Sequence, residues 1–233
     1  MIKYLGFILI ISCLSSCQYK SGSGDVVTET RQVRDFKAVS ISGGFEVEIR
    51  KGNSFKVSVE ADDNIIKDIE TTVENNQLKI RMENGVSYRN VHMKIFITAP
   101  GLEKISSAAS ADIDMVDEMT SDNKITINAS SGSSIKGAVN APDINVDASS
   151  GSEINLAGRT KNLDVQVSSG ASVNAFELLS ENTMAQTSSG ASADVHASVK
   201  LDAKASSGGS VNYRGAANAI QKESSGGSVT KED

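Results

Sequence analysis

The tripeptide Ser-Ser-Gly recurs six times in the second half of the chain, ending at Gly132, Gly151, Gly170, Gly190, Gly208 and Gly226. Successive glycines lie 19, 19, 20, 18 and 18 residues apart. A unit this short cannot bury an apolar face alone, so regular recurrence means that the units stack on one another. Three residues after each glycine comes an apolar slot, filled by Ile135, Ile154, Val173, Ala193, Val211 and Val229. Before the glycine the chain alternates through Ile125, Ile127 and Ala129, then Ile144, Val146 and Ala148, then Leu163, Val165 and Val167. Period-two alternation marks strands with one buried face. Each unit reads as strand, Ser-Ser-Gly bend, strand and short return. The expected fold is all-β, a right-handed parallel β-helix (solenoid) of coils 18 to 20 residues long. Six or seven such coils at ~4.8 Å each make a rod of roughly 30 Å.

The bend residues Ser131 and Gly132, Ser150 and Gly151, Ser169 and Gly170, Ser189 and Gly190, Ser207 and Gly208, and Ser225 and Gly226 are expected to be turn structure. Glycine turns without steric cost, and superposed serine hydroxyls can bond up the column. Every coil shares them, so they mark none as an active site. Upstream, Ser106-Ser107-Ala108 followed by Ala111 and Ile113 reads as a degraded first coil. At the other end Glu223 and Lys231 enter slots that are apolar elsewhere, which closes the stack.

Residues 31–105 are β-rich but unrepeated, and residues 106–233 hold the Ser-Ser-Gly solenoid. Phe45–Ile49 and Phe55–Val59 flank Lys51-Gly52-Asn53-Ser54 and read as a hairpin. Thr71–Val73 and Leu78–Ile80 flank Glu74-Asn75-Asn76-Gln77 and read as a second. Asp62–Ile69 is the one helix candidate, begun by Asp62-Asp63-Asn64 as caps. With no linker before Leu102, this region is expected to share the solenoid core.

Residues 1–16 read as a lipoprotein signal. Lys3 is followed by an apolar run from Leu5 to Ile11, too short to span a bilayer, and by Leu14-Ser15-Ser16-Cys17. Cleavage there leaves Cys17 as the lipid-attachment residue, with residues 17–30 expected to be a flexible tether. Cys17 is then the last cysteine, which excludes disulfides and thiolate metal sites. The whole chain carries a formal charge of −6, and loss of Lys3 with no acid makes the mature chain −7. That balance argues against nucleic acid and against electrostatic docking on anionic lipid. Gln18 in place of an aspartate favours the outer membrane, its surface or periplasmic side left open.

Chemistry is sparse. His92 and His196 both read as outward strand residues, without a nucleophile context. Asp112, Asp114, Asp117 and Glu118 form the densest acidic cluster, suited to calcium or to acid–base work. The blander reading is a solvated face, and no metal or cofactor is assigned. Four residues after each repeat position runs an outward column of Asp112, Lys136, Asn155, Asn174, Asp194 and Asn212. It is either a stabilising ladder or, with Asp114, a polar binding face for a glycan or protein. The chain has no Trp, which weakens the sugar reading because sugars commonly stack on rings.

The order Phe36, Val39, Ile41-Ser-Gly-Gly44, Val47-Glu-Ile49, Val57-Ser-Val-Glu-Ala-Asp-Asp-Asn64, Leu78-Lys-Ile80, Ile95 to Pro100-Gly-Leu102 and then the coils resembles the auto-transporter adhesin, head GIN domain family of Bacteroidetes. The name refers to Gly-Ile-Asn repeats, present here as the variants Glu153-Ile154-Asn155, Ser172-Val173-Asn174 and Ser210-Val211-Asn212. The resemblance implies a β-helix and an adhesive role, and it brings no catalytic residues. The leading expectation is a non-enzymatic, lipid-anchored envelope protein that binds a protein or glycan through its outer faces. A polysaccharide lyase or hydrolase using acids near Asp112, and a periplasmic regulatory lipoprotein, are the alternatives.

Overall fold

The computed structural model describes residues 18–232, so the signal segment and Cys17 lie outside the described residues. No helix among them is long and apolar enough to cross a membrane. The repeat region is a parallel β-solenoid built of two sheets. The first holds the strands before each Ser-Ser-Gly bend, in the order Lys124–Ala129, residues 143–148, 162–167, 182–187, Lys200–Ala205 and Asn218–Glu223. The second holds those after it, including Ser172–Ala175, Ser192–His196, Ser210–Arg214 and Ser228–Lys231. Ser134–Ala148 and Glu153–Val167 are each long enough to serve both sheets, which carries the chain from coil to coil.

Alternation sets which side faces in. In Lys124–Ala129, Ile125, Ile127 and Ala129 are buried while Thr126 and Asn128 point outward. The register Ile125↔Ile144↔Leu163 stacks like on like, so the core is a continuous column between the sheets. Parallel sheets are commonly covered on both faces and apolar throughout. Here each sheet packs only on its partner, so the outer faces stay polar.

The bends differ from expectation in two respects. The second serine is left-handed as well as the glycine: φ lies between 48° and 56° at the six serines and between 69° and 77° at the six glycines. Two successive left-handed residues closed by Ser133 N donating to Ser130 O at 3.3 Å make a type I′ turn. The columns are joined by backbone, not by the expected hydroxyls. Gly132 N donates to Ser150 O, Gly151 N to Ser169 O and Gly170 N to Ser189 O, each at 3.1 Å. The left-handed pair turns the glycine N–H along the solenoid axis.

The N-terminal region extends the same core from Phe36 to Tyr213. Its levels stack out of sequence order. Ala38–Ser42 and Glu46–Lys51 lie between the level formed by Gln77–Met82 and Met93–Ala99 and the level formed by Lys104–Ala108 and Asp112–Thr120. The hairpin expected around Lys51–Ser54 is therefore absent. Glu46–Lys51 pairs in parallel with Met93–Ala99, and Lys56–Asp62 pairs antiparallel with that same strand from its other side. The second expected hairpin forms, with Glu74↔Gln77 in register around Asn75 and Asn76, both at positive φ.

Antiparallel strands close this end, and Val26–Arg31 is the outermost, paired with Lys56–Asp62. Glu29 and Arg31 pair at 2.9 Å and Arg31 donates to Ile66 O at 2.9 Å, so charge sits over the open core and blunts the edge. Residues 17–30, expected to be a tether, instead contribute Gln18–Ser21 and the start of Val26–Arg31 as strands. The expected helix shrinks to the single turn Ile66–Asp68, which has no side-chain cap because Ile65 stands at its N-cap, while the Asp62 carboxyl accepts Gly24 N and His92 N. At the other end Glu223, in register with Ala205, is exposed and accepts Val229 N at 2.6 Å.

Candidate functional site

A groove of about 760 Å³ runs on the bend side of the first sheet. It crosses eight stacked levels, from Ser40 to Ser224. Two rows line it. One is the outward column Ser106↔Asn128↔Asp147↔Gln166↔Gln186↔Lys204↔Lys222, a polar residue at every level. The other is the first serine of each tripeptide: Ser130, Ser149, Ser168, Ser188, Ser206 and Ser224. No aromatic ring is among the lining residues.

The groove carries charge of both signs, with Glu223 beside Lys222 at its C-terminal end. Asp147 stands in its middle, and burial followed by the nearby charge of Asp164 pushes its carboxyl above the usual aspartate range. In its better-satisfied orientation the Asn128 amide donates to Asp147 Oδ2 at 3.2 Å. Lys204 and Lys222 lie towards the C-terminal coils.

The residues singled out from the sequence fall elsewhere. The expected column is real in Lys136↔Asn155↔Asn174↔Asp194↔Asn212, on the outer face of the second sheet. Its first member is Asp114, not Asp112: Asp114 pairs with Lys136 and Asp112 with Ser134. The left-handed pair of the first coil is Ala109–Ser110, two residues beyond the position assigned to Ala108. That displacement moves the whole frame by two. The column is not a continuous asparagine ladder either. Asn212 donates to Asp194 at 2.8 Å, but Asn155 turns to Glu153 on its own strand. A ladder does form in a column of the first sheet, Asp143 to Asn162 to Asn182 at 2.8 and 3.0 Å.

Asp112 and Asp114 line a shallow cleft of about 420 Å³ with Glu46, Glu48, Lys94 and Lys136. Asp112 accepts from Ser134 Oγ at 2.6 Å, and Asp114 pairs with Lys136 at 3.1 Å. Glu48 lies below the usual range, held there chiefly by the Lys94 ammonium and next by Arg50. Asp117 accepts Lys51 N at 3.0 Å. Asp112, Asp114, Asp117 and Glu48 thus each have a partner of their own, and no cluster of three or more His, Cys, Asp or Glu able to hold a metal occurs among the described residues. His92 is exposed and 2.7 Å from Glu60, whereas His196 is half-buried at a strand end, where its carbonyl accepts Thr183 Oγ1 at 2.8 Å. His92 precedes Met93–Ala99 near the N-terminal end of the stack and His196 ends Ser192–His196 towards the C-terminal coils, so the two imidazoles share no site.

This solenoid with an adhesin-like order of motifs has a match across residues 35–217, to the family described as putative auto-transporter adhesin, head GIN domain. The chain belongs to that family. Solved structures similar to this GIN-domain protein include a putative adhesin from Bacteroides fragilis, with 20% identity, TM-score 0.81, and coverage of 91% of this chain and 98% of that one. A putative lipid binding protein from Parabacteroides distasonis has 20% identity, TM-score 0.75, and coverage of 93% and 100%. A putative adhesin from Parabacteroides merdae has 16% identity, TM-score 0.72, and coverage of 93% and 100%. At such identities the likeness establishes the fold. No curated protein matches the chain.

The groove-lining residues of this GIN domain lie outside the expected binding face, which follows each glycine. Asn128, Asp147, Gln166, Gln186, Lys204 and Lys222 stand four residues before it. The same alignment, read in the other direction, holds that signal.

Proposed function

We propose that this protein is a non-enzymatic adhesin-like component of the cell envelope, lipid-anchored through Cys17, that holds an extended glycan along the serine-lined groove. The observation that carries this reading is the unbroken row of one polar side chain per level over eight levels. The rise of ~4.8 Å per level is close to the length of one sugar in an extended chain, so each sugar between Asn128 and Lys222 meets one amide, carboxyl or ammonium group and one hydroxyl. The backbone beside the groove is already committed between coils, as in Ser149 N to Ala129 O and Ser168 N to Ala148 O, both at 3.0 Å. An added peptide strand would find no free ladder there. A ligand dense in its own hydroxyls needs only the side chains.

Without aromatic platforms each sugar contributes little, and affinity accumulates with length. The test is calorimetric titration with polysaccharide fragments of increasing length. Affinity is expected to climb with each added sugar and to fall on Gln166→Ala with Gln186→Ala, at unchanged thermal stability. Length-independent binding, or binding unaffected by the double variant, sinks the groove assignment. Protease shaving of whole cells tests exposure on the outer surface, since a fully protected protein cannot act as an adhesin.

A further inference from the structure

Gln18, the residue after Cys17, is already part of a strand. Gln18–Ser21 runs parallel to Val86–Arg89, in register from Gln18↔Val86 to Ser21↔Arg89. Side chains fix the same segment. Lys20 Nζ is 2.7 Å from Asp68 Oδ2, and the Arg89 guanidinium lies 4.3 Å from the centre of the Tyr19 ring. Asn64 Nδ2 donates to Ser21 O at 2.8 Å, and Asn64 Oδ1 accepts Ser23 N at 3.1 Å. Asp62, 2% exposed, accepts Gly24 N at 2.8 Å and His92 N at 2.7 Å. The Asp62-Asp63-Asn64 cluster therefore clamps the segment that follows Cys17.

Such a clamp leaves no slack. Adjacent Cα atoms are ~3.8 Å apart across a trans peptide, so an acylated Cys17 holds the end of the solenoid at headgroup level. Tyr19 is 59% exposed there, a ring with a polar tip and a guanidinium on its face. That combination suits a membrane interface. We propose that the N-terminal end of the solenoid seats directly on the bilayer, with Tyr19 and Arg89 in the headgroup layer, so that the rod is mounted rigidly instead of swinging on a tether. The contact rests on the reading of Cys17 as the lipid-attachment residue. The mature charge of −7 gives anionic lipid no electrostatic hold on the body as a whole, so seating is set by the anchor and persists in high salt.

The chain has no Trp, so Tyr19→Trp and Val229→Trp each place one reporter, at the near and far ends of the rod. The full-length acylated protein is reconstituted into phosphatidylethanolamine–phosphatidylglycerol vesicles containing a lipid with a nitroxide at headgroup depth. Tyr19→Trp is expected to lose most of its emission and Val229→Trp almost none. Inserting a flexible Gly-Ser segment between Cys17 and Gln18 should restore emission in the Tyr19→Trp protein. Unquenched Tyr19→Trp in protein whose mass carries the acyl chains overturns the seating while the anchor stands. Protein without acyl mass that stays off the vesicles overturns the anchor, and the seating with it.

Discussion

The two halves of the molecule continue one core by opposite means. In the repeat half all six bends share one conformation and five of the six glycines donate to the next bend, so each level is held by neighbours of its own kind. The N-terminal half makes each connection once. Its levels are out of sequence order, its outer strands are antiparallel, and its first strands are fixed by individual carboxylates and amides. Repetition suits a long uniform surface, whereas one-off contacts suit an end that must stop the stack.

The comparison breaks hardest where coils touch backbone to backbone. Gly158 has φ +121° and a Cβ there would strike the Val139 carbonyl oxygen, so Gly158→Ala is expected to destabilise by about 3 kcal/mol or more. Chemical denaturation measures this. A change near zero means that the coils are looser than the register implies. A smaller and local effect is expected in the other half. Asp62→Ala removes the acceptor of the Gly24 and His92 amides, at about 0.5–1.5 kcal/mol each because both residues reach water. Hydrogen exchange should then rise at Gly24 and His92 while protection of Ile144 and Val165 is unchanged. Loss of protection in both halves would show that they do not behave separately.

Acid should separate the halves without mutation. The backbone N–H groups of His92 and then Gly24 hold the Asp62 carboxyl below its ordinary value of 3.8. On acidification the unfolded chain takes up this proton first, so the contribution of Asp62 is complete above that value and is lost as pH falls through the lower folded one. Release of the Gln18–Asp25 segment below about pH 4, and its weaker dependence on pH in Asp62→Asn, can be followed by proteolysis. Asp147 has the opposite sign. Its raised carboxyl weakens the fold as pH climbs through the shifted value, and Asp147→Asn removes that slope in thermal melts.

The smallest effect belongs to the bend. Ser169 has φ +56°, so Ser169→Gly should change stability by only about 0.5 kcal/mol, while the β-branched Ser169→Val should cost about 1–2 kcal/mol. Equal melting temperatures for the two variants would mean that the left-handed serine is not a constraint.

What was legible in the chain follows the same division. Alternation and period were repeated six times, so the strands, the stack and the bends could be read from any coil. The first coil was misframed because Ala109–Ser110 adopts the turn without its Ser-Gly signature. Partners in the N-terminal half were illegible for a different reason. The patterns of Glu46–Lys51 and Lys56–Asp62 declare strands, but the strand that separates them, Met93–Ala99, arrives much later in the chain. The groove depends on the concavity beside the bend, and the residues lining it change type from Asn128 to Lys222, so no repeated letter announced it.

Because Ser134–Ala148 and Glu153–Val167 match position for position, a whole coil can be gained or lost between two bends while both ends keep their contacts. The reach of the molecule is thus quantised, like a ruler graduated in coils. Evolution can lengthen it by duplication, with no redesign of either terminus.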